Sequence, residues 1–314
     1  MIKDALIKGL MKLWQTEIQF DHKKGATFRE LFNHPYYLGL GDAEQMELGL
    51  SWCRNLYEIE KNSPSLDLYL GKTHLADFIS EGSTILDIGC YIGGKTVRWI
   101  EKYKGAEIHG IDIDSKFIKV ANRFAKEKCV NAHFKVNFAE DLDFEGHYFD
   151  AIVTENTFEH VVDLKKVMSE CARVLKPNGY LIVSFPGFYG PFSHHLDLVT
   201  RTPCLHWFFK YHSLVKIYKD ILDERGEASN WYKRSRDLKD SIDNGFPLNS
   251  LNGTSAFEFH KIAKENWKIV VDGFKQRTRN RNPAKSIILN TIKTFPINAF
   301  RELLPIAYVL QKPE

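Results

Sequence analysis

From Ser83 to Pro186 short apolar runs alternate with longer segments whose apolar residues recur every three or four positions. That is the pattern of βαβ units built around a parallel sheet. Five runs read as strands: Thr84–Ile88, Glu107–Ile111, Ala132–Val136, Phe149–Thr154 and Tyr180–Phe185. Between them Lys95–Lys104, Ser115–Lys128 and Asp163–Leu175 carry helical spacing and predict helices that cover the sheet. Lys176, Pro177 and Gly179 are expected to stop the third of these. Periodicity returns in Ser255–Asn266, a helix, and in Trp267–Gly273 and Ile306–Gln311, two closing strands.

The flanks have another character. Before Ser83, Pro35, Tyr36, Tyr37, Gly39 and Gly41 interrupt two helical patterns, and after Pro186 a stretch to Gly253 is dense in aromatics and histidines. The expected organisation is a helical N-terminal cap (1–80), an α/β core (81–186), a mostly helical substrate-side insertion (187–254) and a segment completing the core sheet (255–314). Phe188, Tyr189, Phe192, Trp207, Phe208, Tyr211, Trp231 and Tyr232 either form the core of the insertion or offer an aromatic surface to a hydrophobic or sugar-like acceptor.

Composition narrows the class. With 44% hydrophobic and 26% charged residues the chain is an ordinary globular one, not a disordered or fibrous one. A net charge of +3 does not favour nucleic acid as a partner, and the basic run Lys275, Arg277, Arg279, Arg281 and Lys285 reads as a solvated loop. The five cysteines are odd in number and contain no CxxC pair, so neither a disulfide framework nor a metal centre is expected, and a reducing, cytoplasmic setting fits. Met1 to Phe20 mixes charges with apolar residues at helical spacing, unlike a signal peptide, and no stretch is long enough for a transmembrane helix. This amphipathic start either packs on its own domain or touches a membrane or partner. A monomer or homodimer is expected.

The chemistry concentrates at strand ends. Asp87-Ile88-Gly89-Cys90, followed by Gly93-Gly94, places backbone amides at a helix N-terminus where a ligand can approach without a Cβ in the way. The spacing is not GxGxxG, because Tyr91 and Ile92 separate the glycines and the acid precedes them. A pyrophosphate would meet a carboxylate, whereas a cofactor with a cationic amino-acid end would gain from Asp87. Asp112 ends the second strand, where an acid accepts ribose hydroxyls, so an adenosine-containing ligand is implied.

Six ordered motifs carry a family resemblance: Thr84 to Gly94; Gly110-Ile-Asp112-Ile-Asp114; Ala139-Glu140-Asp141-Leu142; Phe149 to Val153; Phe158-Glu159-His160-Val161; and Val174 to Gly179. Together they resemble the class I S-adenosylmethionine-dependent methyltransferases, closely over Ser83 to Pro186. The resemblance implies a Rossmann-like seven-stranded sheet with an antiparallel last strand, and S-adenosyl-L-methionine as cofactor. It implies Asp87, Gly89, Cys90 and Gly93 on the methionine side, with Asp112 at the ribose, and Tyr91 is a further cofactor-binding candidate. Ile113, Ala139 and Glu140 would flank the adenine, and Asn156 would line the cofactor side after the fourth strand. Two departures stand out. Tyr91 replaces the usual second glycine, so it covers the cofactor or the loop takes another path, and Phe138 replaces the usual acid before Ala139.

For the acceptor, Glu159-His160 follows the fourth strand and His194-His195 the fifth, so both pairs can reach one cleft. His195 is the first candidate base and His160 the second, with His194 and Glu159 beside them. The expected reaction is methyl transfer by in-line displacement to an oxygen of a small-molecule, sugar or lipid-like acceptor. The rivals are a nucleic-acid or protein methyltransferase and a cofactor-binding protein without catalysis.

Overall fold

The computed structural model describes residues 2–16, 39–70, 73–196, 199–225, 251–275 and 303–314. Expectations for Tyr36, Tyr37, Trp231, Tyr232, Arg277, Arg279, Arg281 and Lys285 lie outside them. The strands are β1 (Thr84–Ile88), β2 (Glu107–Asp112), β3 (Ala132–Val136), β4 (Phe149–Glu155), β5 (Leu175–Phe185), β6 (Lys268–Asp272) and β7 (Ile306–Gln311). They form one seven-stranded sheet in the order β3-β2-β1-β4-β5-β7-β6. The first five run parallel to one another, and β7 runs antiparallel to both β5 and β6. This is the sheet the motifs imply.

Why β1 lies in the middle is readable in its burial: Ile85, Leu86, Asp87 and Ile88 are all buried, as a central parallel strand covered on both faces requires. Side chains alternate across the sheet. Leu86 and Ile88 join the core under α6 (Leu164–Val174) and α9 (Ala256–Asn266). Ile85 faces the other way, towards Trp99 of α4 (Gly94–Lys102) and Leu66 and Leu70 of α3 (Ser65–Leu70). Helix starts are fixed by short acids and a serine: Asp114 accepts from the Lys116 amide at 2.8 Å to open α5 (Ser115–Glu127), and Asp163 and Ser255 do the same for α6 and α9.

The fifth strand begins five residues earlier than the pattern predicts. Leu175 already pairs with Phe149, so strand follows helix without a connection, and a register shift between Phe149 and Ala151 takes up Lys176–Gly179 within the strand. The N-terminal region divides. The long helix α2 (Asp42–Asn62) packs Leu50, Cys53 and Tyr57 against α4 and α5, beside the glycine loop. The first helix, α1 (Ile2–Leu13), instead buries Ile7 and Met11 against α8 (Tyr211–Glu224), which follows the short α7 (Leu205–Phe208). Burying side chains of this size contributes roughly 2 kcal/mol each. Among the described residues, the start of the chain thus shares a core with the segment after β5 and not with α2.

Candidate active site

The carboxyl ends of β1, β2 and β4 meet at the loop after β1. Gly89 adopts φ +79°, and its amide and that of Cys90 both donate to the Ile111 carbonyl, at 2.8 and 2.9 Å. A Cβ at Gly89 would stand 2.0 Å from Thr157 Oγ1, and one at Gly93, also at φ +79°, 2.8 Å from Ala121 Cβ. Only glycine fits either position, and the loop is pressed against the β4 exit and α5 in turn. Tyr91 sits at φ +55°, the left-handed region a glycine would take without strain. Its ring meets Phe117 edge-on at 4.4 Å, so packing on α5 holds it there.

Two acids flank this loop. Asp87 is buried and accepts the Thr96 hydroxyl at 2.5 Å. Burial raises its carboxyl to about 7, opposed by the Thr96 hydrogen bond and by Lys95 and reinforced by Glu155 and Asp112. Asp112 accepts the Tyr91 amide at 3.1 Å and the Asp114 amide at 2.9 Å, one on each oxygen. The second lone pair on each oxygen suits a pair of adjacent hydroxyls. Ile113 and Phe138, after the adjacent strands β2 and β3, are 64% and 59% exposed apolar side chains. Ala139, directly after Phe138, is buried. Glu140, expected beside adenine, spends one carboxylate oxygen on the Val162 amide at 2.7 Å. That bond ties the loop before β4 to the turn after it.

A polar network not foreseen from sequence surrounds the Asp87 side. Lys95 Nζ lies 2.7 Å from Glu155 Oε2 at the end of β4. Ser65 Oγ donates to the same oxygen at 2.7 Å and accepts from Lys95 at 3.0 Å. Glu60 of α2 then accepts from the Ser65 amide and, at 2.9 Å, from Trp99 Nε1. Position relative to the glycines marks Lys95 and Thr96 as first-turn residues of the helix after the loop; nothing local marks Ser65 or Glu155 as their partners.

Beyond Glu155 the chain turns at Asn156 (φ +53°), whose amide donates to the Ser184 carbonyl at 2.8 Å. Thr157 follows against Gly89, and His160 comes three residues later. The His160 and His195 rings approach to 5.3 Å between centroids. Buried Glu159 places Oε1 3.6 Å from His160 Nε2. So the fold brings Glu159, His160 and His195 together beyond the exits of β4 and β5, on a turn whose Thr157 lies against Gly89.

His194 is held apart. It is fully buried, its Nδ1 accepts the Leu196 amide at 3.1 Å and its Nε2 faces the Thr202 carbonyl at 3.0 Å. Those partners fix one neutral tautomer and occupy both ring nitrogens, which suits a structural residue and not a base. His206 packs against it, and burial lowers the His206 pKa to about 4. Asn252, unmarked in the sequence, grips the Phe158–Val161 turn: its amide donates to the Glu159 carbonyl at 2.8 Å and its side chain to the Phe158 and Val161 carbonyls at 2.7 and 3.0 Å. Among the described residues no three His, Cys, Asp or Glu side chains gather as metal ligands, and no helix is long and apolar enough to cross a membrane.

Residues 86–183 match a family model described as a methyltransferase domain. Phosphoethanolamine N-methyltransferase 2 of Caenorhabditis elegans is 28% identical over 163 residues, 51% of this chain and 35% of that protein. Ubiquinone biosynthesis O-methyltransferases of Rhizobium etli and of a Chelativorans species are 34% and 36% identical over 104 residues, 33% of this chain and 41% and 40% of those proteins. The chain spans about two fifths of the length of the curated relatives it matches.

Proposed function

We propose, for a chain that belongs to the class I S-adenosylmethionine-dependent methyltransferases, that it methylates an oxygen of a small-molecule, sugar or lipid-like acceptor with a histidine as base. The cofactor, when bound, supplies an electrophilic methyl group on a sulfonium. The residues present suit it: Asp87 faces a cationic amino end, Asp112 a ribose, and the loop at Gly89 and Gly93 admits the ligand close to the backbone. Ile113 and Phe138 offer apolar surface to a flat base.

The observation that carries the acceptor reading is the approach of His160 and His195, 5.3 Å apart, on a turn whose Thr157 abuts Gly89. An acceptor hydroxyl needs one proton removed as it attacks, and a positioned imidazole typically contributes about 10²–10⁴-fold. His195, or His160 with Glu159 beside it, takes that proton from the hydroxyl oxygen. The relatives include both an N- and an O-methyltransferase; the histidine pair favours oxygen, because a neutral amine attacks without a base. Positioning supplies the remaining acceleration, since the displacement needs nucleophile and methyl held in line.

Calorimetric titration with S-adenosylmethionine and S-adenosylhomocysteine, with NAD as control, comes first. Binding that Asp112→Ala removes supports the cofactor site and justifies an acceptor screen with labelled methyl donor. In that screen His195→Gln is expected to lower kcat about 10²-fold or more while leaving cofactor affinity in place. Well-folded protein that binds neither ligand would overturn the reading and favour a sheet that has lost its chemistry.

A further inference from the structure

Helix α1 has two apolar stripes, and the fold buries one of them. Ile7 and Met11 are fully buried against α8. On the far side Ile2, Leu6 and Leu13 fall within about 40° of one another at 3.6 residues per turn, and they are 89%, 54% and 69% exposed. Trp14, directly after the helix, is 59% exposed.

Isolated exposed leucines are ordinary; an aligned stripe is not. Charge distribution around the stripe identifies what fits it. Lys3 and Lys12, both exposed, stand on its two flanks. Asp4 is the one acid in α1, and it lies on the packed side, 3.8 Å from Lys216. No carboxylate therefore interrupts the outward half of the helix. A second copy of the chain docking through the same stripe would bring lysine against lysine across a two-fold axis, which disfavours that occupant.

The helix is also held in place to display this face. Thr202 Oγ1 donates to the Leu10 carbonyl at 2.8 Å, the Arg201 amide to the Trp14 carbonyl at 2.9 Å, and Lys8 pairs with Glu224. The segment to which it is tied leaves Phe192, Trp207 and Phe208 exposed as well. An apolar stripe with a terminal tryptophan and flanking lysines is the arrangement of a helix that lies in the headgroup region of a bilayer.

We propose that α1 docks the protein on an anionic membrane surface, with Ile2, Leu6, Leu13 and Trp14 entering the acyl boundary and Lys3 and Lys12 meeting lipid phosphates. This requires no methyl transfer and stands or falls apart from the acceptor reading. Flotation with phosphatidylcholine vesicles, with and without phosphatidylglycerol, tests it. The full chain is expected to float with the anionic vesicles, and less so at high salt. Combined Leu6→Ser, Leu13→Ser and Trp14→Ser is expected to lower the bound fraction about tenfold or more, with Tm unchanged because these side chains are exposed. Lys3→Glu with Lys12→Glu should abolish the preference for anionic vesicles. No flotation, equal flotation with neutral vesicles, or flotation undiminished in the triple variant would overturn the proposal. A fall from dimer to monomer in the triple variant, without vesicle binding, would assign the stripe to a second copy and overturn it too.

Discussion

Burial raises the Asp87 carboxyl to about 7, so folding and cofactor binding pull its titration in opposite directions. Its folded pKa exceeds the ordinary 3.8; the stability it contributes is therefore fully present below that value and lost as pH rises through about 7. A cationic ligand favours the carboxylate, so binding should release a proton and tighten as pH climbs towards about 7. The trend should reverse once the ligand's own amine deprotonates near about 8. Calorimetry across pH in two buffers of different ionisation enthalpy measures both effects, and Asp87→Asn should flatten the rising limb. A wild-type affinity indifferent to pH would contradict this account of Asp87. Gly89→Ala makes a second residue-scale prediction. The new Cβ meets Thr157 Oγ1 at 2.0 Å, so melting temperature and cofactor binding should both fall. Gly82→Ala, at φ +77° with open space around it, should cost only the strain of about 1–2 kcal/mol. At this scale Asp87 and Asp112 are legible as cofactor candidates because each lies at the carboxyl end of an apolar strand before a turn. Thr96 is not, since its bond to Asp87 depends on how the helix is set on the loop.

At the scale of elements, the turn from Phe158 to Val161 owes its shape to a residue some 90 positions away. Asn252→Ala would remove the donor to the Phe158 and Val161 carbonyls. Each acceptor left without a donor costs about 1–3 kcal/mol if buried. Asn252→Asp should fare no better, because a carboxylate cannot donate. Thermal denaturation would show the loss, and an unchanged melting temperature in both variants would mean that the turn holds itself. Sequence periodicity found every strand of the sheet, since alternation and apolar runs are local properties. It misplaced the start of β5 because Pro177 and Gly179 look like a break, while the actual pairing of Leu175 with Phe149 is a long-range fact. Helical spacing in Ile2–Leu13 announces a buried face without saying what buries it; the packing of Ile7 and Met11 on α8 is a long-range fact.

For the whole molecule, cofactor binding should register as stability. A ligand at about 100 times its Kd adds about 2.7 kcal/mol to the folded state. For a chain of this size that is a rise of several degrees in melting temperature. Differential scanning fluorimetry with S-adenosylmethionine should show the shift, NAD should not, and Asp112→Ala should abolish it. The strand order carries a different consequence, for the time during which the protein is made. Strand β7 sits between β5 and β6, yet it follows the end of β5 by about 120 residues. At about 5–20 residues per second, the apolar edge of β5 stands bare for roughly 6–24 s on each nascent chain. Over that interval Leu181, Ile182 and Val183 present unpaired backbone to any neighbouring strand. Slowing the ribosome downstream of Phe185 should therefore lower soluble yield, and a chaperone that shields nascent edges should restore it.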